Sequence, residues 1–342
     1  MKYKVSLILM LLVLMFVSSC TETEKRTNTI KGRRIVSPWF LYSNEANAKK
    51  ELEPMIDIIS SLSVFGEPTP AFVEYCHAND IETYFGVFGG ASVFDTPARR
   101  KATIEGYLKK CEELGLGGID LDLEHLDPSL QLEYSKFLKE ASEALHKAGK
   151  KLAICVGFYP AMYKRGALDF FYDPVVIGKT CDMVRVMCYD MYYANGKGDK
   201  DLMDRADCQG IGPTSTAPWA RNAMLFWLKS VPRKKLIMGL PAYSNDYDMI
   251  PDGRGAQITE PMPKISADKV VEKIWLPYEK IHVYRYLDDK DRPHMFFASD
   301  AKSTKAHLET VDELNLPGIA FWYYQAVTDD TWQVVRRWVK DR

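Results

Sequence analysis

From residue 34 onward, short apolar runs alternate with longer amphipathic stretches. The short runs are rich in Val, Ile, Phe and Tyr and read as strands; the longer ones carry helix formers and helix-start signals. Arg34 to Leu41 is the first predicted strand, Ile56 to Phe65 the second and Ile81 to Phe88 the third, which ends in Gly89-Gly90. Gly118 to Glu124 is the fourth, Lys151 to Phe158 the fifth and Asp182 to Tyr189 the sixth. Lys235 to Pro241 is the seventh and Gly318 to Tyr324 the eighth. Helices are predicted over Asn44 to Met55, Pro70 to Asn79, Thr96 to Leu114, Asp127 to Gly149, Thr216 to Ser230, Ser303 to Leu314 and Asp329 to Val339. Thr96-Pro97 has the form of an N-cap followed by proline at the first helical position, and Gly115 can cap the other end.

Eight strands alternating with helices argue for a parallel sheet, and their number and the chain length favour a closed (β/α)8 TIM barrel over an open sheet. No GxGxxG follows a strand, which removes the main support for a dinucleotide fold. Residues 244–297 break the rhythm and contain strand-like pieces at His282 to Tyr286 and His294 to Phe297. They are expected to form a small α+β insertion, about 244–297, after the seventh strand, within one barrel domain spanning 33–342.

The N-terminus follows another pattern. Lys2 and Lys4 precede an apolar or small run of 13 residues, Val5 to Val17. That run falls short of the roughly 20 residues a spanning helix needs and suits a signal peptide. Val17-Ser18-Ser19-Cys20 resembles the bacterial lipoprotein cleavage box, so 1–19 is expected to be removed, Cys20 lipidated and 20–32 to serve as linker. Export to the bacterial cell envelope, with membrane contact only through that lipid, follows as an expectation.

Composition narrows the partners. The 342 residues carry a formal net charge of −1, with no basic cluster to meet a phosphate backbone, so nucleic acid is excluded as an expected partner. Aromatic residues make up 12% of the chain, 19 of them Tyr and 7 Trp, enough for ring-stacking surfaces. The cysteines form no CxxC pair and the histidines are scattered, so neither metal nor cofactor is expected. Cys155 and Cys188 sit in apolar strands, where Cys acts as a small buried hydrophobe. A monomer is expected.

The chemistry concentrates in Ile119-Asp-Leu-Asp-Leu-Glu124. Side chains alternate along a strand, so Asp120, Asp122 and Glu124 share one face and Ile119, Leu121 and Leu123 the other. In a barrel the apolar face meets the helices, which turns the acids inward. Clustered, desolvated carboxyls hold their protons to higher pH, and Glu124 stands at the strand's C-terminal end, where barrel active sites lie. A terminal carboxyl that stays protonated can serve as a general acid.

Gly117-Gly-Ile-Asp-Leu-Asp-Leu-Glu124 resembles the signature strand of family 18 glycoside hydrolases, the chitinases and endo-β-N-acetylglucosaminidases. Phe88-Gly89-Gly90, Met187-Cys-Tyr189-Asp190, Lys235 to Tyr243 and Gly318 to Trp322 resemble further segments of that family in the same order. Two departures stand out: the first Asp of the family pattern is Gly117, and Val87 occupies a position that is often Ser. The resemblance implies substrate-assisted retention on β-1,4-linked N-acetylglucosamine (GlcNAc), in chitooligosaccharides or the N-glycan core. It implies Glu124 as the proton donor and Asp122 as the group that orients the sugar's acetamide. Asp120 would hold Asp122 through a shared proton, and Tyr189 would bond the acetamide oxygen. Asp190 would bind the sugar at the cleavage site, with Trp322 beneath it. Met187, Tyr243 and Trp39 are candidate site walls, and Gly89 and Gly90 candidates for a tight turn near the sugar. The alternatives are a non-catalytic carbohydrate-binding relative and a peptidoglycan-directed barrel. The first is disfavoured by the presence of Glu124, Asp122 and Tyr189, the second by the absence of wall-binding repeats.

Overall fold

The computed structural model describes residues 34–124, 126–158, 171–192, 211–250, 255–258 and 266–341. The expected signal peptide, Cys20 and the linker lie outside the described residues, as does His125. Strands are numbered in chain order: β1 (Ile35–Val36), β2 (Trp39–Leu41), β3 (Ser61–Phe65), β4 (Glu82–Phe88), β5 (Gly118–Asp122), β6 (Lys151–Val156) and β7 (Met183–Met187). They continue with β8 (Leu236–Pro241), β9 (Ser244–Asp248), β10 (Gly255–Ile258), β11 (Val270–Leu276), β12 (Ile281–Leu287), β13 (Pro293–Ala298) and β14 (Gly318–Trp322).

β1 and β2 are two halves of the first barrel strand, divided at Ser37-Pro38. β1 pairs with β14 and β2 with β3, all parallel. The ladder continues through the division: Ser37 N–H donates to Ile319 O (2.9 Å) and Ser63 N–H to Pro38 O (3.1 Å). With β3 to β8 paired in sequence and β8 on β14, the ring of eight strands closes as a (β/α)8 barrel.

The helices start where their caps place them. Asn44, Thr69, Thr96 and Thr216 each accept a bond from the backbone N–H three residues on, and proline opens the helices that follow the three threonines. Gly115 closes Pro97–Leu114 at φ 74°, the left-handed conformation that glycine adopts without steric cost. Two expectations need correction. The strand expected from Ile56 begins at Ser61, because Ile58 and Ile59 bury themselves in a turn instead. An apolar run does not by itself separate strand from buried turn. A helix at Pro174–Thr180, capped by Asp173, had the same cap-then-proline signature and was not expected.

Among the described residues, the barrel itself carries two apolar layers. Ile119, Leu121 and Leu123 pack outward in the layer between strands and helices. Trp39, Phe65, Cys155, Met187, Tyr189, Ile237, Tyr243 and Ala320 fill the barrel's interior. Between β8 and β14, strands β9 to β13 form one antiparallel sheet in the order β10-β9-β13-β12-β11. The helical part expected of this insertion amounts, among the described residues, to one 3-10 turn at Ala267–Lys269.

Candidate active site

β5 sets the site. Asp120 is fully buried, Asp122 is 5% exposed, and Glu124, two residues past the strand's end, is exposed. The acidic face therefore climbs from the barrel's interior to its C-terminal mouth. Burial is the main cause of the raised Asp122 pKa, with the charges of Glu124 and Asp120 adding to it and Arg185 opposing; the carboxyl is pushed up to about 8. Asp122 Oδ1 is buried with no hydrogen bond among the described residues.

Asp120 has a charged partner that the sequence reading did not name. Its Oδ2 lies 2.8 Å from Nη1 of Arg185, and both side chains are completely buried. Arg185 is fixed in turn by Ser37, whose Oγ accepts from Nη2 at 2.8 Å and whose carbonyl accepts from Nε at 3.4 Å. The guanidinium also lies over the Tyr84 ring, 5.5 Å from its centroid. Cys155 Sγ stands 3.6 Å from the same Asp120 oxygen. Arg185 went unread in the sequence although the signal was there. In Met183-Val-Arg-Val-Met187 it shares the inward face with Met183 and Met187, and a charge at such a position requires a partner.

Tyr189 and Asp190 follow β7. Tyr189 is buried, and burial holds its phenol well above the ordinary range, with the charges of Tyr243, Asp122, Cys155 and Glu124 adding to the effect. Asp190 has φ 60°, a left-handed conformation uncommon outside glycine that Asp tolerates better than most. Its Oδ1 accepts from the Tyr243 hydroxyl (2.5 Å) and from Gln257 Nε2 (3.1 Å). Gln257 belongs to β10, so the insertion reaches the barrel mouth. Tyr243 therefore holds Asp190 in place. β9 and β10 gave no clear strand signal because Ser244-Asn-Asp-Tyr-Asp248 is polar yet mostly buried, with Asn245 donating to Tyr192 O and Gly212 O.

Aromatic rings surround the acids. Trp322, partly exposed, meets Trp39 (5.9 Å) and Phe65 (5.8 Å) edge to face, and Phe65 stacks on Phe88 (4.3 Å). Phe88 is 60% exposed and was not among the expected site residues. Trp39, expected to offer a face to sugar, is fully buried instead. Its indole N–H donates to Cys155 Sγ (3.2 Å), its ring fills the space left by Gly239, and it props Trp322 and Tyr189 from below. Met187 is buried in the same interior cluster.

The glycines act differently from the tight-turn expectation. Neither Gly89 nor Gly90 takes a positive φ; Gly89 permits close approach, since a Cβ there would stand 3.0 Å from Leu123. Val87 faces the helices, so the inward neighbour of Asp120 on β4 is Gly86, whose space is filled by the Phe65 ring. At Gly117 a Cβ would meet Glu82 Cγ at 2.9 Å. The Glu82 carboxylate occupies this spot, accepting from Tyr84 (2.7 Å) and facing Lys151 Nζ (2.8 Å).

A closed parallel barrel with carboxyls rising to its C-terminal mouth and aromatics around them is a glycosidase architecture. The chain belongs to the glycosyl hydrolases family 18, whose sequence model matches residues 78–326. It is 26% identical over 227 residues to the uncharacterized glycosylase YvbX of Bacillus subtilis (strain 168), covering 65% of this chain and 61% of that protein. It is 24% identical over 229 residues to the cortical fragment-lytic enzyme of the same organism, covering 65% and 50%. The chain thus spans about half to three fifths of the length of these curated relatives. Its fold matches the crystal structure of a chitinase from Chromobacterium violaceum ATCC 12472 with a TM-score of 0.73 at 17% identity, over 90% of this chain and 100% of that one.

Proposed function

We propose that the chain hydrolyses β-1,4 linkages of GlcNAc-containing glycans by substrate-assisted retaining catalysis, outside the cytoplasm and anchored through Cys20. The observation that carries this reading is the acid ladder: buried Asp120, nearly buried Asp122 with its raised pKa, and exposed Glu124 at the mouth. Glu124 protonates the glycosidic oxygen while the sugar's own acetamide oxygen attacks the anomeric carbon, giving an oxazolinium ion and expelling the leaving chain. Burial and the nearby Glu124 charge keep a proton on Asp122 near neutral pH, and Asp122 passes it to Glu124 as the sugar binds. As Glu124 gives up its proton, Asp122 faces the acetamide and stabilises the charge developing there. Tyr189, whose ring meets Trp39 and Tyr243 edge to face at the mouth, donates to the acetamide oxygen. Asp190, pinned by Tyr243 and Gln257, accepts from sugar hydroxyls, and the partly exposed Trp322 supplies an apolar floor. Water then opens the oxazolinium ion with Glu124 acting as base, which retains the anomeric configuration.

The similarity to a cortical fragment-lytic enzyme supports a second substrate reading within the same mechanism, the GlcNAc linkages of peptidoglycan fragments. Replacing Glu124 by Gln tests the common core. Turnover of N-acetylchitooligosaccharides or peptidoglycan fragments is expected to fall by about 10²–10⁴-fold or more while binding is retained. A wild-type chain that binds these glycans and cleaves none of them, or a variant that cleaves at the wild-type rate, overturns the reading.

A further inference from the structure

We infer that Arg185 is a positioning residue of this site: its ion pair with Asp120 inside the barrel sets the balance of charge beneath Asp122 and so governs the proton that Asp122 holds. The inference rests on the reading of β5 as the catalytic strand and deepens it.

The geometry carries the argument. Arg185 and Asp120 lie 2.8 Å apart with no exposure to solvent. A guanidinium stays charged even when buried, because it is the most strongly basic of the side chains. The pair is fixed from the far side by Ser37, whose Oγ also meets Ser61 Oγ at 2.5 Å, so the guanidinium cannot swing toward the mouth without losing those bonds. Arg185 and Asp122 then flank Asp120, and the two neighbours of Asp122 act on it with opposite sign: Asp120 raises its pKa and Arg185 lowers it. The groups around this centre are Glu124 from β5's extension, Tyr84 from β4, Cys155 from β6, and Arg185 and Tyr189 from β7. Burial holds the phenols of Tyr84 and Tyr189 and the Cys155 thiol well above their ordinary ranges, so none of them titrates together with the carboxyls.

The opposed signs provide the test. In protein labelled at the aspartate carboxyl carbon, NMR reads the titration midpoint of Asp122 whether or not any glycan is hydrolysed. Absence of activity would therefore sink the proposed function and leave this inference standing. Asp120→Asn leaves the guanidinium unopposed and is expected to lower the Asp122 midpoint by about one pH unit or more. Arg185→Met strands the Asp120 charge and is expected to raise it. The double variant Asp120→Asn/Arg185→Met is expected to return it to near the wild-type value. Should Arg185→Met alone not fold, the comparison of Asp120→Asn with the neutral double variant decides on its own. Where turnover is measurable, the alkaline limb of kcat/KM is expected to move in the same directions. A midpoint indifferent to Asp120→Asn, or a double variant that stays displaced with the single one, overturns the inference.

Discussion

Asp122 carries its proton to higher pH than an unfolded aspartate does, and this has a consequence for stability. Its folded pKa, about 8, lies above the ordinary 3.8, so the folded state binds the proton more tightly than the unfolded state. Stability from this source is complete below the ordinary value and is lost as pH rises through the folded one. Asp122→Asn removes the dependence. In thermal melts the variant is expected to gain on the wild type as pH rises from 5 to 9, on the order of a few kcal/mol at the alkaline end. A variant that is no better at pH 9 than at pH 5 contradicts the assignment. At this scale the alternation of β5 was readable: three acids on one face and three apolar residues on the other. An inward charge at Arg185 was readable too, but its pairing with Asp120 was not, because only the closed ring brings β7 to β5. Gly117 shows the same limit. The missing carboxylate of the family pattern has a neighbour-strand occupant in Glu82, which the β4–β5 register reveals and the linear order does not.

Among the elements, those with local signals were readable and those held by tertiary polar contacts were not. Thr96-Pro97 and Gly115 marked both ends of a helix, and the N-caps of several other helices fell where the side chains implied. β9 was missed because its buried residues are polar and satisfied by distant groups, so no hydrophobic period marks it. The helix Ala301–Glu313 is docked by such a contact. His307 is buried, with Nε2 3.1 Å from Ser215 Oγ and Nδ1 donating to Ser303 O at 2.9 Å. Burial lowers its pKa from 6.5 to about 4. The folded state therefore binds fewer protons than the unfolded state between those values, and stability falls as pH drops from 6.5 toward 4. Loss of this neutral histidine's contribution is expected to cost on the order of 3 kcal/mol by pH 4. Denaturation curves of His307→Gln should show a shallower acid decline than the wild type; an equally steep decline would place the acid sensitivity elsewhere.

For the whole molecule, the barrel and the insertion after its seventh strand were legible from the alternation of periods, since each strand–helix unit writes its own pattern. The mouth was legible only in part. Tyr189, Asp190, Tyr243 and Trp322 come together at the C-terminal ends of β7, β8 and β14, while Gln257 arrives from the insertion and Phe88 from β4. The closed ring determines which strand ends become neighbours, and it converts a row of acids into a graded series from a buried ion pair to an exposed carboxyl at the mouth. In this account the sugar's acetamide is the nucleophile, so the barrel needs no second carboxylate across the cleft.

Matched oligosaccharides that differ only at the N-acetyl group test that claim most directly. Mass analysis of digests should show cleavage of N-acetylchitooligosaccharides or peptidoglycan-type GlcNAc chains, and none at a sugar whose amine is unacetylated or replaced by hydroxyl. Comparable rates on the acetylated and unacetylated chains would contradict the account.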